Sequence, residues 1–198
     1  MSIPNAKVAS SETITDKVIS PIFLAHIVFC TANLQRQIDF WTLFLGATVI
    51  FQNDILAFLQ YDDEHHRIAF IADASAQPQQ GDRKGAGMHH VAFTFASLSD
   101  LVKAYKQRKA FGVLPTWCVN HGMTTSMYYR DPDGNQIETQ VDNFDNPEAR
   151  EFMQGELFME NPLGTDFDPE ELDRKIRDGV EDSVLKKRVE IGPRVIAP

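Results

Sequence analysis

Two stretches of this chain are alike, and a chain that repeats itself has few ways to fold. Pro21–Phe29 reads Pro-Ile-Phe-Leu-Ala-His26-Ile-Val-Phe, and Gly85–Phe93 reads Gly-Ala-Gly-Met-His-His90-Val-Ala-Phe. Each is a strand pattern with a histidine at the same place, and each passes through a polar turn into a helical spacing. Leu34, Ile38, Trp41 and Leu45 form the first apolar stripe, and Leu98, Leu101, Val102 and Tyr105 the second. Ser97 and Asp100 suggest a capping box at the start of the second helix. Three short strands are expected after each helix, near 47–51, 55–61 and 66–72 and near 112–118, 125–130 and 135–141. The repeating unit is therefore βαβββ. One unit alone leaves a sheet face wet, so two should pair and curve around a shared cavity. The expected class is α+β.

Gln77–Lys84, polar and charged with a proline and a glycine, reads as the linker between modules of about 21–75 and 86–145. Residues 1–20 read as a flexible arm and 146–198 as a partly helical extension that wraps the core or a neighbouring subunit. Within it, 146–159 suggests one helix, Asp168-Pro169 starts another, and the end looks extended.

The net charge of −9 gives nucleic acid and anionic membranes nothing to attract them. Cys30 and Cys118 are the only cysteines, too few for a disulfide framework, which points to a reducing compartment. No apolar run approaches the roughly 20 residues that span a bilayer. Met1–Asp16 lacks the basic start and apolar stretch of a signal peptide. The expected location is cytoplasmic, and exposed sheet edges with a long tail point to a homo-oligomer.

Strand alternation puts His90 with Ala92 and Thr94, and His26 with Val28, on the face opposite the phenylalanines. The phenylalanine face suits packing under the helices, so both histidines should face the cavity. His89 falls on the other strand face and is read as non-ligating. Aligning the repeats on Asp62 and Asp131 places Ala69 opposite Glu138.

The run Val119-Asn120-His121, Met127-Tyr128, Asp131-Pro132-Asp133-Gly134 and Glu138 resembles the signature of type I extradiol ring-cleavage dioxygenases, of the vicinal-oxygen-chelate superfamily. The resemblance covers about residues 21–142 and implies a form built from a single module pair. It implies His26, His90 and Glu138 as ligands of a non-haem iron(II), a two-histidine, one-carboxylate set with open positions that manganese(II) also accepts. The run Asp63–Phe70 resembles the segment that supplies such enzymes with their acid/base histidine, here His66. His121 and Tyr128 match the remaining active-site positions. The implied substrates are a small aromatic diol and dioxygen, and the implied product is a ring-opened semialdehyde acid. Glyoxalase-type relatives use a fourth protein ligand where this chain has Ala69. Two alternatives stay open: a metal-dependent lyase or isomerase of the same superfamily, and a non-catalytic protein that binds an aromatic ligand.

Overall fold

In the computed structural model, residues 18–79 and 86–194 are described. Most of the expected N-terminal arm, most of the expected linker and the last four residues lie outside them. The first module runs β1 (Ile27–Thr31), α1 (Leu34–Leu45), β2 (Thr48–Gln52), β3 (Leu56–Gln60) and β4 (Ile68–Ala72). The second runs β5 (His90–Thr94), α2 (Leu98–Ala110), β6 (Trp117–Asn120), β7 (Thr124–Arg130) and β8 (Gln136–Asp142). The strand orders are the same in both, β1-β4-β3-β2 and β5-β8-β7-β6, so the repeat read from sequence is a repeat of topology. β1 lies parallel to β4 and β5 parallel to β8; every other pairing is antiparallel. The parallel pairs need a long crossover, which the helix and the two strands between them provide.

Alternation along β1 and β5 places the apolar side chains as expected. Phe29 packs on Trp41 of α1, and Phe93 meets the same indole edge-on, while Val28 stays exposed. Trp41, Phe44, Phe70, Leu98, Leu101, Met127, Tyr129 and Ile137 share one continuous core that joins the modules. Arg108 of α2 is buried in it, donating to the Phe44 carbonyl through Nε (2.9 Å) and Nη2 (2.7 Å) and lying over the Phe44 ring. This bond ties the last turn of α1 to α2, since the Phe44 carbonyl has no helical partner of its own.

Three local expectations are corrected. Ser97 does cap α2, accepting from the Asp100 amide at 3.1 Å, but the return bond runs between the two side chains. An aspartate is one methylene too short for the reciprocal bond of a capping box, which Asp145 and Glu148 do form further on. β6 begins at Trp117 rather than near 112. After α2, Gly112 takes φ +77°, and the amides of Gly112 and Val113 return to the carbonyls of Lys109 and Arg108. That is a Schellman ending, and Pro115 then has no amide to offer a ladder. The helix expected over 146–159 is two, α3 (Asn146–Gln154) and α4 (Glu156–Glu160), broken at Gly155, whose backbone is extended.

The extension continues as β9 (Thr165–Asp166), α5 (Pro169–Arg177) and α6 (Asp182–Leu185). β9 pairs antiparallel with β6, adding a fifth strand to the second sheet beside His121. α5 packs on α2, where Lys106 binds Asp173 at 3.2 Å and Glu170 takes bonds from Tyr105 and Lys109. Among the described residues, no helix is long and apolar enough to cross a membrane.

Candidate active site

His90 opens β5 and Glu138 sits on the neighbouring β8, where Ala92 is its register partner. His90 Nε2 and Glu138 Oε2 are 2.9 Å apart; the glutamate is buried and the imidazole about one-third exposed, at 32%. Burial pushes the Glu138 carboxyl up, but His90, Ser126 and Tyr128 around it outweigh burial and hold its pKa below the usual value. The side chain is therefore a carboxylate at neutral pH.

Tyr128 stands directly across from Glu138 on β7. Burial, and then the negative charge of Glu138, raise its phenol, so it stays protonated and can donate. His121 follows β6. Its Nε2 lies 3.0 Å from the Tyr128 hydroxyl and its Nδ1 2.7 Å from the Leu163 carbonyl. Burial lowers its pKa against the opposing pull of Glu138, which favours the neutral ring.

Trp117 completes this group. Its ring stacks on Tyr128 with centroids 4.9 Å apart and meets His121 edge-on at 5.5 Å. Sequence reading missed it because β6 was expected to end at 118, which hid the pairing of Trp117 with Tyr128.

His26 and His66 form a second group. His26 precedes β1, and its ring stacks on His66 at 4.5 Å; His66 in turn lies on Phe58 at 4.7 Å. Arg67 fixes the approach to β1, donating from Nη1 to the carbonyls of Leu24 (2.7 Å) and Ala25 (2.9 Å) while Asp62 holds its Nε. His66 Nδ1 is engaged by His65 Nδ1, and burial followed by the charges of His26 and His65 lowers its pKa. His26 also lines a cleft of about 210 Å³ whose far wall is Val91–Thr94 of β5. It thus stands beside the strand that carries His90.

The structure therefore brings His90, Glu138, Tyr128 and His121 together, and separately His26 with His66. Among the described residues, no group of three His, Cys, Asp or Glu side chains is close enough to hold a metal ion. Two of the three expected donors nonetheless fit one. Ligands about 2.1 Å from a metal and at right angles stand about 3 Å apart, which is the separation of His90 and Glu138. The register also bears out the alignment of the repeats: Val28 faces Ala69 where Ala92 faces Glu138, so no acidic side chain stands at the equivalent place in the first module. His89 bonds His90 Nδ1 to Nδ1 at 2.8 Å, the contact of a neighbour that orients the ring.

The sequence model of the Glyoxalase/Bleomycin resistance protein/Dioxygenase superfamily matches residues 23–139. Biphenyl-2,3-diol 1,2-dioxygenase 2 of Rhodococcus globerulus is 42% identical over 147 residues, 73% of this chain and 76% of the relative. Biphenyl-2,3-diol 1,2-dioxygenase 3 of the same organism is 39% identical over 166 residues, 83% of this chain and 87% of the relative. Among solved structures, a glyoxalase/dioxygenase from Nostoc punctiforme superposes with a TM-score of 0.54 at 15% identity, covering 64% of this chain and 97% of its own. At that identity it supports the fold alone.

Proposed function

Since the chain belongs to the Glyoxalase/Bleomycin resistance protein/Dioxygenase superfamily, we propose that it is an extradiol dioxygenase, opening an aromatic diol with dioxygen to a semialdehyde acid. The observation that carries this reading is the pairing of His90 with a buried, ionised Glu138 beside the Tyr128–His121 hydrogen bond. In this reading His26, His90 and Glu138 hold iron(II), with manganese(II) the alternative. Residues 21–145 are the catalytic domain and 146–198 its extension. When bound, the metal would acidify the diol and relay electron density from it to oxygen, chemistry that redox-inert zinc does not supply.

The chain's own residues do the rest. Glu138 contributes a negative donor without first losing a proton, because its surroundings already hold it ionised. His66, with Nδ1 occupied by His65, has Nε2 to take a proton from the diol and return it to the product. Tyr128 offers its O–H to an oxygen of the substrate, and His121 Nε2 accepts that O–H when the substrate is away. Trp117 keeps the phenol ring in place by stacking. We extend the proposal to a cytoplasmic homo-oligomer that acts on small molecules and on neither nucleic acid nor membranes.

The test is iron-loaded protein, in air, with a panel of one- and two-ring catechols in an oxygen electrode. Oxygen uptake with a yellow product supports the proposal. Turnover without oxygen points to a lyase or isomerase. Diol binding with no metal and no turnover points to a binding protein.

A further inference from the structure

The reading above needs His121 with an unprotonated Nε2 that can accept the Tyr128 O–H, and the groups that decide this come from the extension. Leu163 lies between α4 and β9, and its carbonyl is 2.7 Å from His121 Nδ1. A carbonyl only accepts, so Nδ1 must carry the hydrogen; in the neutral ring Nε2 is then the acceptor that faces the Tyr128 hydroxyl.

The loop that presents this carbonyl is fixed at both ends. Asn161, 1% exposed, accepts from the Gly164 amide at 2.7 Å and donates to the Gly164 carbonyl at 3.2 Å. Gly164 has φ +89°, and a Cβ there would stand 2.1 Å from the Asn120 oxygen, so only glycine permits the approach. Arg188, 6% exposed, then joins the loop to the histidine. Its Nη1 donates to the Asn161 carbonyl (2.7 Å) and the His121 carbonyl (3.2 Å), and its Nη2 to the Leu157 carbonyl (2.9 Å). Glu190 balances the charge, accepting at 3.0 and 2.8 Å.

Burying a guanidinium strips away its hydration, and well-packed apolar groups often fill such a space at less cost. A fully satisfied polar cluster of this kind fixes geometry more than it adds stability. We infer that Arg188 is a positioning residue for the reaction: through the 161–164 loop it seats the Leu163 carbonyl on His121 Nδ1, selecting the Nδ1–H tautomer and leaving Nε2 for Tyr128. The inference rests on the role assigned to His121 above.

The test compares Arg188→Met, Arg188→Lys and Glu190→Gln, alone and with His121→Ala. Arg188→Met should lower kcat about 10- to 100-fold, with KM changed by less than about threefold, and Arg188→Lys should recover part of the loss. With His121→Ala already present, Arg188→Met should change kcat by less than about twofold, because its effect passes through the missing ring. Long-range proton–nitrogen NMR on the metal-free protein should show His121 protonated at Nδ1, and a tautomer mixture in Arg188→Met. Equal losses from Arg188→Met with and without His121 would overturn the inference. So would an unchanged tautomer. Should Arg188→Met not fold, Glu190→Gln must still show tautomer mixing, and an unmixed ring defeats the idea. An unchanged kcat in His121→Ala would remove His121 from the reaction, while the NMR result still decides what Arg188 does.

Discussion

Gly164→Ala is the smallest change that separates the extension from the site. The added methyl would lie 2.1 Å from the Asn120 oxygen and 2.7 Å from His121 Cα, both backbone atoms that cannot swing aside. A methyl carbon needs about 3 Å or more from each atom, so β9 must retreat by roughly an ångström. At φ +89° the alanine also carries strain of about 1–3 kcal/mol. The retreat weakens the short β6–β9 pairing and the Leu163–His121 bond, each hydrogen bond being worth about 1 kcal/mol. Together these give about 3–5 kcal/mol. For a chain of 198 residues, at about 2–4 °C per kcal/mol, Tm should fall by roughly 6–20 °C. Thermal melts by circular dichroism measure it, with limited proteolysis reporting whether the extension is released. A melting temperature within about 2 °C of the parent, with the extension still protected, would mean that this glycine does not hold the extension to β6.

His66→Gln should keep bound iron while turnover slows by roughly 10²–10⁴-fold, and a rate within about twofold of the parent in steady-state oxygen uptake would remove the acid/base role. Asp166 is held below the usual carboxylate range, first by the bond from Arg194 and then by that from Trp117. A depressed folded pKa contributes stability above the unfolded value of about 3.9 that is lost as pH falls through the folded value. Protease cleavage of the extension should therefore rise only below about pH 4, and Asp166→Asn should show that exposure already at neutral pH. Burial pushes the Cys118 thiol up to about 12, whereas Cys30 is exposed. A thiol reagent at mildly alkaline pH should therefore label Cys30 alone in the native protein, as peptide mapping would show.

The parts of this molecule that were legible in its sequence are those set by local rules. Alternation along a strand put Phe29 on the face that packs under the helices and Val28 on the opposite one, and Phe29 is buried while Val28 is not. Register then carried Ala69 to the counterpart of Glu138, because both modules keep the same strand order. Gly112 and Pro115 could have placed the start of β6, had the glycine been read as a helix ending rather than as the first residue of a strand. The remainder depends on contacts far apart in the chain. A Thr-Asp pair has no strand pattern, so β9 gave no signal until β6 offered it an edge. Leu163 acts through a backbone carbonyl, which no side-chain motif records. Arg188 sits in the charged Lys186–Arg188 run, where nothing in the local pattern signals burial, yet it is among the most buried groups of the extension.

In the proposed site one ion draws donors from both modules. Iron(II) bound per chain, measured by elemental analysis after anaerobic loading, tests it most directly in the parent and in His26→Ala, His90→Ala and Glu138→Ala. About one iron per chain is expected in the parent, and loss of that iron in each variant while circular dichroism keeps the parental fold. Full iron occupancy in His26→Ala would contradict it, since the ion would then be held by the second module alone.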